Sequence, residues 1–257
     1  MIEVKNLEFS YLKKESFKLD IPCLKFRAGA ITSLIGPNGS GKTTLLKIIT
    51  GIIDGFNGEV IINGRSSSDY TGREKGRMLA YIPQTGSDIF DFSVEELVLM
   101  GRRPYMSFLG NPGGSGKEKT ESVMRSFGLL DKRHRKMSAL SGGEKKAVYI
   151  CRAIVQEADV FVMDEAAAFL DIHHTADTMR SVKKLAGEGK TVIMVSHDIN
   201  ICSEVSDDII IMKNGAVEYS GSPEETLTEN NIKKVYEFDR FEILKGESGP
   251  VIKLKFD

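Results

Sequence analysis

Cysteine is sparse: three stand in 257 residues, at positions 23, 151 and 202. They are odd in number, widely spaced and without a C-x-x-C pair, so they offer no disulfide framework and fit a reduced cytoplasm. Net charge is also nearly absent, since 35 Lys+Arg against 36 Asp+Glu leave a formal charge of -1. Nothing therefore draws the chain as a whole to nucleic acid or to an anionic membrane, and no nucleic-acid partner is expected. No run of about twenty apolar residues occurs, and Met1-Ile2-Glu3-Val4-Lys5 is too polar for a signal peptide. Any link to a membrane is expected to run through a partner. The length suits one main α/β domain with a large core.

What the chain does carry is Gly36-Pro37-Asn38-Gly39-Ser40-Gly41-Lys42-Thr43, set between the apolar run 31–35 and a helical pattern from Thr44. Gly, four residues, then Gly-Lys-Thr is the spacing of a phosphate-binding loop. The glycines permit a tight turn that presents backbone N–H groups to phosphate oxygens, and the following helix N-terminus adds partial positive charge. Lys42 has the reach for β- and γ-phosphates, and the Thr43 hydroxyl suits a magnesium ion bridging them. Upstream, short alternating segments predict an antiparallel β region. Tyr11 ends one of them, and its position suits an adenine-stacking ring or an ordinary strand-end aromatic equally well.

Downstream, a helix over 44–50 closes at Gly51, and 58–64 reads as a strand ending in an Asn-Gly turn. The polar run 65–77 reads as a solvated connection. A strand over 78–82 stops at Pro83-Gln84, where Gln84 is either a ligand of magnesium or of the attacking water, or a surface polar residue. Residues 85–138 read as an inserted helical subdomain, opened by a capping box at Ser93-Val94-Glu95-Glu96, with 110–116 as a glycine-rich loop and a helix from Lys117. The sequence Gly113 to Lys117 lacks the strand and the spacing of a second phosphate loop.

Leu140-Ser141-Gly142-Gly143-Glu144 leads into a long amphipathic helix and reads, by itself, as a common N-cap or as a bare N-terminal anion site. The strand 160–164 then delivers Asp164 and Glu165 to the edge where α/β proteins bind ligands. Asp164 suits a magnesium held through water, and Glu165 suits a general base; two acids capping a helix is the plain alternative. Asp171 caps a helix over about 173–186, and the neighbouring His173 and His174 point in different directions and form no metal site. The strand 191–196 brings His197 to the same edge, as a γ-phosphate donor or a structural histidine. A hairpin over 209–219 and a tail with a short helix and two strands complete the chain.

Jointly and in order, these motifs resemble the ATP-binding subunit of an ABC transporter, over nearly the whole length. Gly36 to Thr43, with Thr44, matches Walker A, Gln84 the Q-loop and Leu140 to Gly143 the family signature. Val160 to Asp164 matches Walker B, Glu165 the catalytic glutamate and His197 the switch histidine. The resemblance implies an α/β P-loop NTPase core with a mixed sheet, spanning 1–84 and 139–222, a helical subdomain at 85–138 and a tail at 223–257. It implies ATP and Mg2+ as cofactors, with Tyr11 on the adenine and Lys42, Gln84, Glu165 and His197 in catalysis. Thr43, Gln84 and Asp164 would hold the metal. It further implies a head-to-tail homodimer in which Ser141, Gly142, Gly143 and Asp171 face the second subunit's nucleotide.

Transmembrane permease subunits would dock on the helical insert, and a substrate-binding protein would act indirectly, leaving the chain cytoplasmic and peripheral to the membrane. Met100 to Tyr105, His197 to Asn200 and the short tail look like the subgroup serving iron-siderophore, haem and vitamin B12 permeases. An ABC ATPase for another cargo, or a soluble one outside transport, is the alternative. Glu144, Lys145 and Lys146 depart from the usual Gln and Arg after the signature, and Ala166-Ala167 from Pro-Thr after the glutamate.

Overall fold

The computed structural model describes residues 1–11, 17–84, 91–106, 113–165 and 172–255. In chain order these form β1 (Ile2–Phe9), β2 (Leu19–Phe26), β3 (Ile31–Ile35), α1 (Lys42–Ile49), β4 (Asn57–Ile62), β5 (Arg65–Ser66) and α2 (Gly72–Met78). Next come β6 (Leu79–Ile82), α3 (Val94–Leu99), α4 (Gly113–Ser126), α5 (Gly142–Val155), β7 (Val160–Asp164) and α6 (Ile172–Gly187). The chain closes with β8 (Thr191–Val195), α7 (Ile199–Val205), β9 (Asp208–Lys213), β10 (Ala216–Gly221), α8 (Pro223–Thr226), α9 (Glu229–Tyr236), β11 (Phe241–Lys245) and β12 (Pro250–Leu254). Two compact units result: Met1–Asp69 with Val182–Asp257, and Tyr70–Ser181.

Besides the two-stranded β11-β12 sheet, the first unit holds strands of two larger sheets of different character. In the antiparallel sheet β2-β1-β4-β5, inward residues alternate: Ile2, Val4, Leu7, Leu19, Ile21 and Phe26 are buried between exposed neighbours. The period of two expected for a sheet with one wet face is interrupted once in each strand, at Lys5-Asn6 in β1, where the register with β4 shifts, and at Pro22-Cys23 in β2. In the order β10-β9-β3-β8, β3 pairs in parallel with both β8 and β9, while β10 returns antiparallel to β9. All five residues of β3 and of β8 are buried, as parallel strands covered on both faces require. The sheet is therefore mixed, and β3 and β8 end at the loop of Gly36 and at His197.

The tail has a structural task. Leu227, Ile232, Val235 and Phe241 are buried against Ile35, Cys202, Ile209 and Ile211. The β11-β12 hairpin is also tied to α7, where the Asn200 amide donates to the Ile252 carbonyl at 3.1 Å and accepts from its N–H at 2.8 Å.

In the second unit β6 and β7 run parallel, and α3, α4 and α5 pack on one another. Two sequence expectations change here. The run 65–77 is not a plain connection, because Thr71 and Glu74 form a reciprocal capping box that starts α2. Helix α4 begins at Gly113 rather than at Lys117. Packing against α5 outweighs the weak helix propensity of its glycines.

Burying each of the four apolar side chains of the tail contributes about 1.5–3 kcal/mol, against about 1 kcal/mol for each Asn200 hydrogen bond. Asn200→Ala, which loses both bonds, should therefore leave α9 seated and lower the melting temperature by only about 4–8 °C. Trypsin should nonetheless cleave faster at Lys245 and Lys253; cleavage at the parent's rate would show that Asn200 does not hold the hairpin.

Candidate active site

The turn from β3 into α1 is shaped by its own backbone. Gly36 sits at φ +142°, and a Cβ there would lie 2.0 Å from the Met212 carbonyl oxygen of β9. Glycine is required at 36 by this packing as well as by access for a phosphate. Helix α1 starts at a left-handed Gly41 with no side-chain cap and no acidic residue in its first turn. Such a start presents N–H donors and partial positive charge. Lys42, only 6 % exposed, folds back so that its ammonium donates to the carbonyls of Gly36 at 2.8 Å and Pro37 at 2.9 Å, and to the Ser40 hydroxyl at 3.3 Å. Three oxygens thus hold a buried cation directly over the loop. An uncapped helix start beneath a held ammonium fits an anionic, phosphate-bearing ligand.

Tyr11 lies beside this loop. Its hydroxyl shares a 3.2 Å hydrogen bond with the Thr44 hydroxyl, and the edge of Phe9 packs on its ring at 4.8 Å. The ring stays partly exposed, which leaves a face for a flat ligand. At the end of β8, Ser196 is buried and its hydroxyl accepts from the Asp198 N–H at 3.1 Å, while His197 is exposed. The sequence did not announce Tyr236: this residue of α9 hydrogen-bonds the Gly36 backbone, and burial raises its phenol.

In the second unit, β7 delivers Asp164 and Glu165, both buried. The Tyr81 hydroxyl of β6 donates to Asp164 at 3.2 Å, and the Gln84 amide donates to Glu165. Glu165 has φ +50°, a left-handed conformation unfavourable for a side chain of its type. Backbone strain of this kind collects at functional sites. The structure thus brings Gln84 and Glu165 together, and the plain reading of the two acids as a helix cap does not describe these contacts. Asp171 lies outside the described residues.

At the start of α5 the structure shows the N-cap and not the bare start: the Ser141 hydroxyl accepts from the Glu144 N–H, and the Glu144 carboxylate accepts from the Ser141 N–H at 2.8 Å. The spacing Ser-x-x-Glu was the visible signal. Gly142 and Gly143 are the first two residues of this helix. Lys132 pairs with Glu144, and this ammonium, followed by the Ser141 backbone, holds the carboxyl at about 2.

Little more than one turn into the same helix, Lys146 reaches the carbonyls of Pro83 at 2.8 Å and Gln84 at 3.1 Å. Burial lowers its amine to about 8, against the pull of the Asp164 and Glu165 charges.

Residues 19–168 match the family described as ABC transporter. The petrobactin import ATP-binding protein FpuC of Bacillus anthracis is 33% identical over 241 residues, 93% of this chain and 88% of that protein. The hemin import ATP-binding protein HmuV of Aliivibrio fischeri is 33% identical over 231 residues, 88% and 87% of the two chains. Among solved structures, the dimeric MJ0796, a bacterial ABC transporter cassette, is similar at a TM-score of 0.74 and 27% identity, covering 86% of this chain and 98% of that one. The chain belongs to the ABC transporter family, as an ATP-binding subunit that hydrolyses ATP on an α/β P-loop NTPase fold.

The depressed Glu144 group has a consequence for stability. Its folded value lies below the ordinary 4.5, so its contribution is complete above 4.5 and is lost as the pH falls from there toward 2. Glu144→Gln, which keeps an acceptor but no charge, should be less stable than the parent at pH 7, and the gap should have narrowed by more than half at pH 3. Urea unfolding at both values checks this; an equal gap would mean that Lys132 does not hold the carboxylate.

Proposed function

We propose that the chain is the energy-supplying ATPase of an importer for iron-siderophore, haem or cobalamin-type chelates. Two copies close head to tail around ATP while docked on transmembrane permease subunits, and a substrate-binding protein delivers the cargo outside. The names of the petrobactin and hemin relatives support the chelate class. Equal identity to both leaves the individual cargo open within that class. The dimeric cassette supports pairing. Among the described residues no helix is long and apolar enough to cross a membrane, so attachment would run through the permease, with residues 85–138 receiving it.

The observation that supports the chemistry most is the buried acid end of β7, where Glu165 is strained and oriented by Gln84. In this reading Glu165 takes a proton from the attacking water, while Gln84 and His197 orient the water and the γ-phosphate. Lys42 and the N–H groups at Gly36, Asn38, Gly39, Ser40, Gly41, Thr43 and Thr44 bind the phosphates, Pro37, which has no N–H, shapes the loop between them, and Tyr11 carries the adenine. Ser141, Gly142, Gly143 and Asp171 serve the nucleotide of the other copy.

Thr43, Asp164 and Gln84 offer hard oxygen donors suited to magnesium. Among the described residues no cluster of three or more His, Cys, Asp or Glu could hold a metal alone, which fits an ion that takes further ligands from phosphates. Magnesium would supply charge neutralisation at the β- and γ-oxygens.

Glu165→Gln should bind ATP as the parent does and hydrolyse it at least about a hundredfold more slowly. Size-exclusion of that variant should show a dimer only with ATP. Lys42→Ala should weaken nucleotide binding itself. Phosphate release by Glu165→Gln at the parent's rate would remove the assignment of the base.

A further inference from the structure

A lysine is costly to bury unless its charge finds partners, and Lys146 is only 6 % exposed. The partners it finds are backbone oxygens, the carbonyls of Pro83 and Gln84, which follow β6 directly. Gln84 in turn donates its side-chain amide to Glu165. The ammonium also lies within electrostatic reach of both Asp164 and Glu165. Lys146 is five residues beyond Ser141 on one continuous helix, an axial distance of about 7–8 Å. One buried side chain therefore joins the helix that begins with the signature to the loop whose glutamine touches the catalytic acid.

Packing alone does not demand this residue. An unbranched apolar side chain of similar length would fill the volume without desolvating a charge, and replacement of buried ions by such groups is often neutral or stabilising. The cation does what an apolar chain could not: it fixes the direction of two consecutive carbonyls, and so the backbone from which the Gln84 side chain departs.

We infer that Lys146 is a positioning residue for ATP hydrolysis: it ties the signature helix to the Gln84 loop and, through the Gln84 amide, sets the placement of Glu165 within the same subunit. This inference rests on the ATPase reading and specifies how a shift of the signature helix reaches the base.

The test is a double-mutant cycle on the full chain, with Lys146→Met, Lys146→Arg, Gln84→Ala and Gln84→Ala combined with Lys146→Met. Three quantities are measured: phosphate release, affinity for a fluorescent ribose-labelled ATP, and melting temperature. Lys146→Met should hydrolyse about tenfold more slowly, the scale of loss that a displaced catalytic group produces. Its nucleotide affinity should stay within about twofold, and its melting temperature should fall by no more than about 4–8 °C, the cost of the two lost hydrogen bonds to carbonyls. Lys146→Arg, whose fork can serve two carbonyls, should recover at least half of the parent rate.

In the Gln84→Ala background the methionine should change the rate by less than about twofold, because the residue through which it acts is gone. An undiminished loss in that background, a parallel loss of affinity and melting temperature, or a Lys146→Met protein as fast as the parent would each overturn the inference alone. A parent chain that binds nucleotide and does not hydrolyse it would overturn the ATPase reading and the inference with it.

Discussion

The turn Asn214-Gly215 between β9 and β10 is the point on which the first unit depends. Its N–H donates to the Ser40 carbonyl at 3.1 Å, and its carbonyl accepts from Asp20 N–H at 2.8 Å. A Cβ on Gly215 would lie 1.8 Å from the Lys18 carbonyl oxygen, so the backbone there touches the antiparallel sheet directly. One glycine thus connects β2, the phosphate loop and the β9-β10 hairpin. Gly36 repeats the arrangement a few residues away against Met212. The loop holds its shape because the hairpin lies against it, and because Lys42 bonds the loop's own carbonyls.

The second unit solves a different problem, that of keeping two neighbouring carboxylates buried. Each acid receives a donor from a different place: Tyr81 on β6 for Asp164, and Gln84 in the loop beyond it for Glu165. Helix α5 adds a cation with Lys146 and holds the end of β6 through Arg152, which donates to the Tyr81 carbonyl at 2.9 Å. Buried charges at this density require such cross-ties, since a carboxylate left without a donor loses far more than one hydrogen bond contributes. The cross-ties also mean that the placement of the acids depends on three elements at once.

Much of this was legible in the chain. The phosphate loop, the acid-ended strand and the Asn-Gly hairpins announced themselves because their chemistry is local, set by residues a few positions apart. The tail helices, α2 and the capped start of α5 were harder to see. Thr71-Gly72-Arg73-Glu74 and Ser141-Gly142-Gly143-Glu144 both carry the capping-box spacing, yet one read as a polar run and the other as either an N-cap or an open anion site. The partners of Lys146 lie 62 and 63 residues away, and the Tyr236 contact with Gly36 spans most of the chain. No periodicity encodes contacts of that range; they follow only from the packed arrangement of strands and helices.

Glu165 holds a left-handed backbone immediately after a fully buried strand, where the residue best suited to the conformation is glycine. Conformations of that kind cost on the order of 1–3 kcal/mol for an ordinary residue. Selection for stability alone would remove the carboxylate from this position, so the most stable form of the chain and the working form are different sequences. With Glu165 as the proposed general base, a search for thermostable variants of this protein would be drawn to residue 165 and would return molecules that fold better at the expense of ATP turnover.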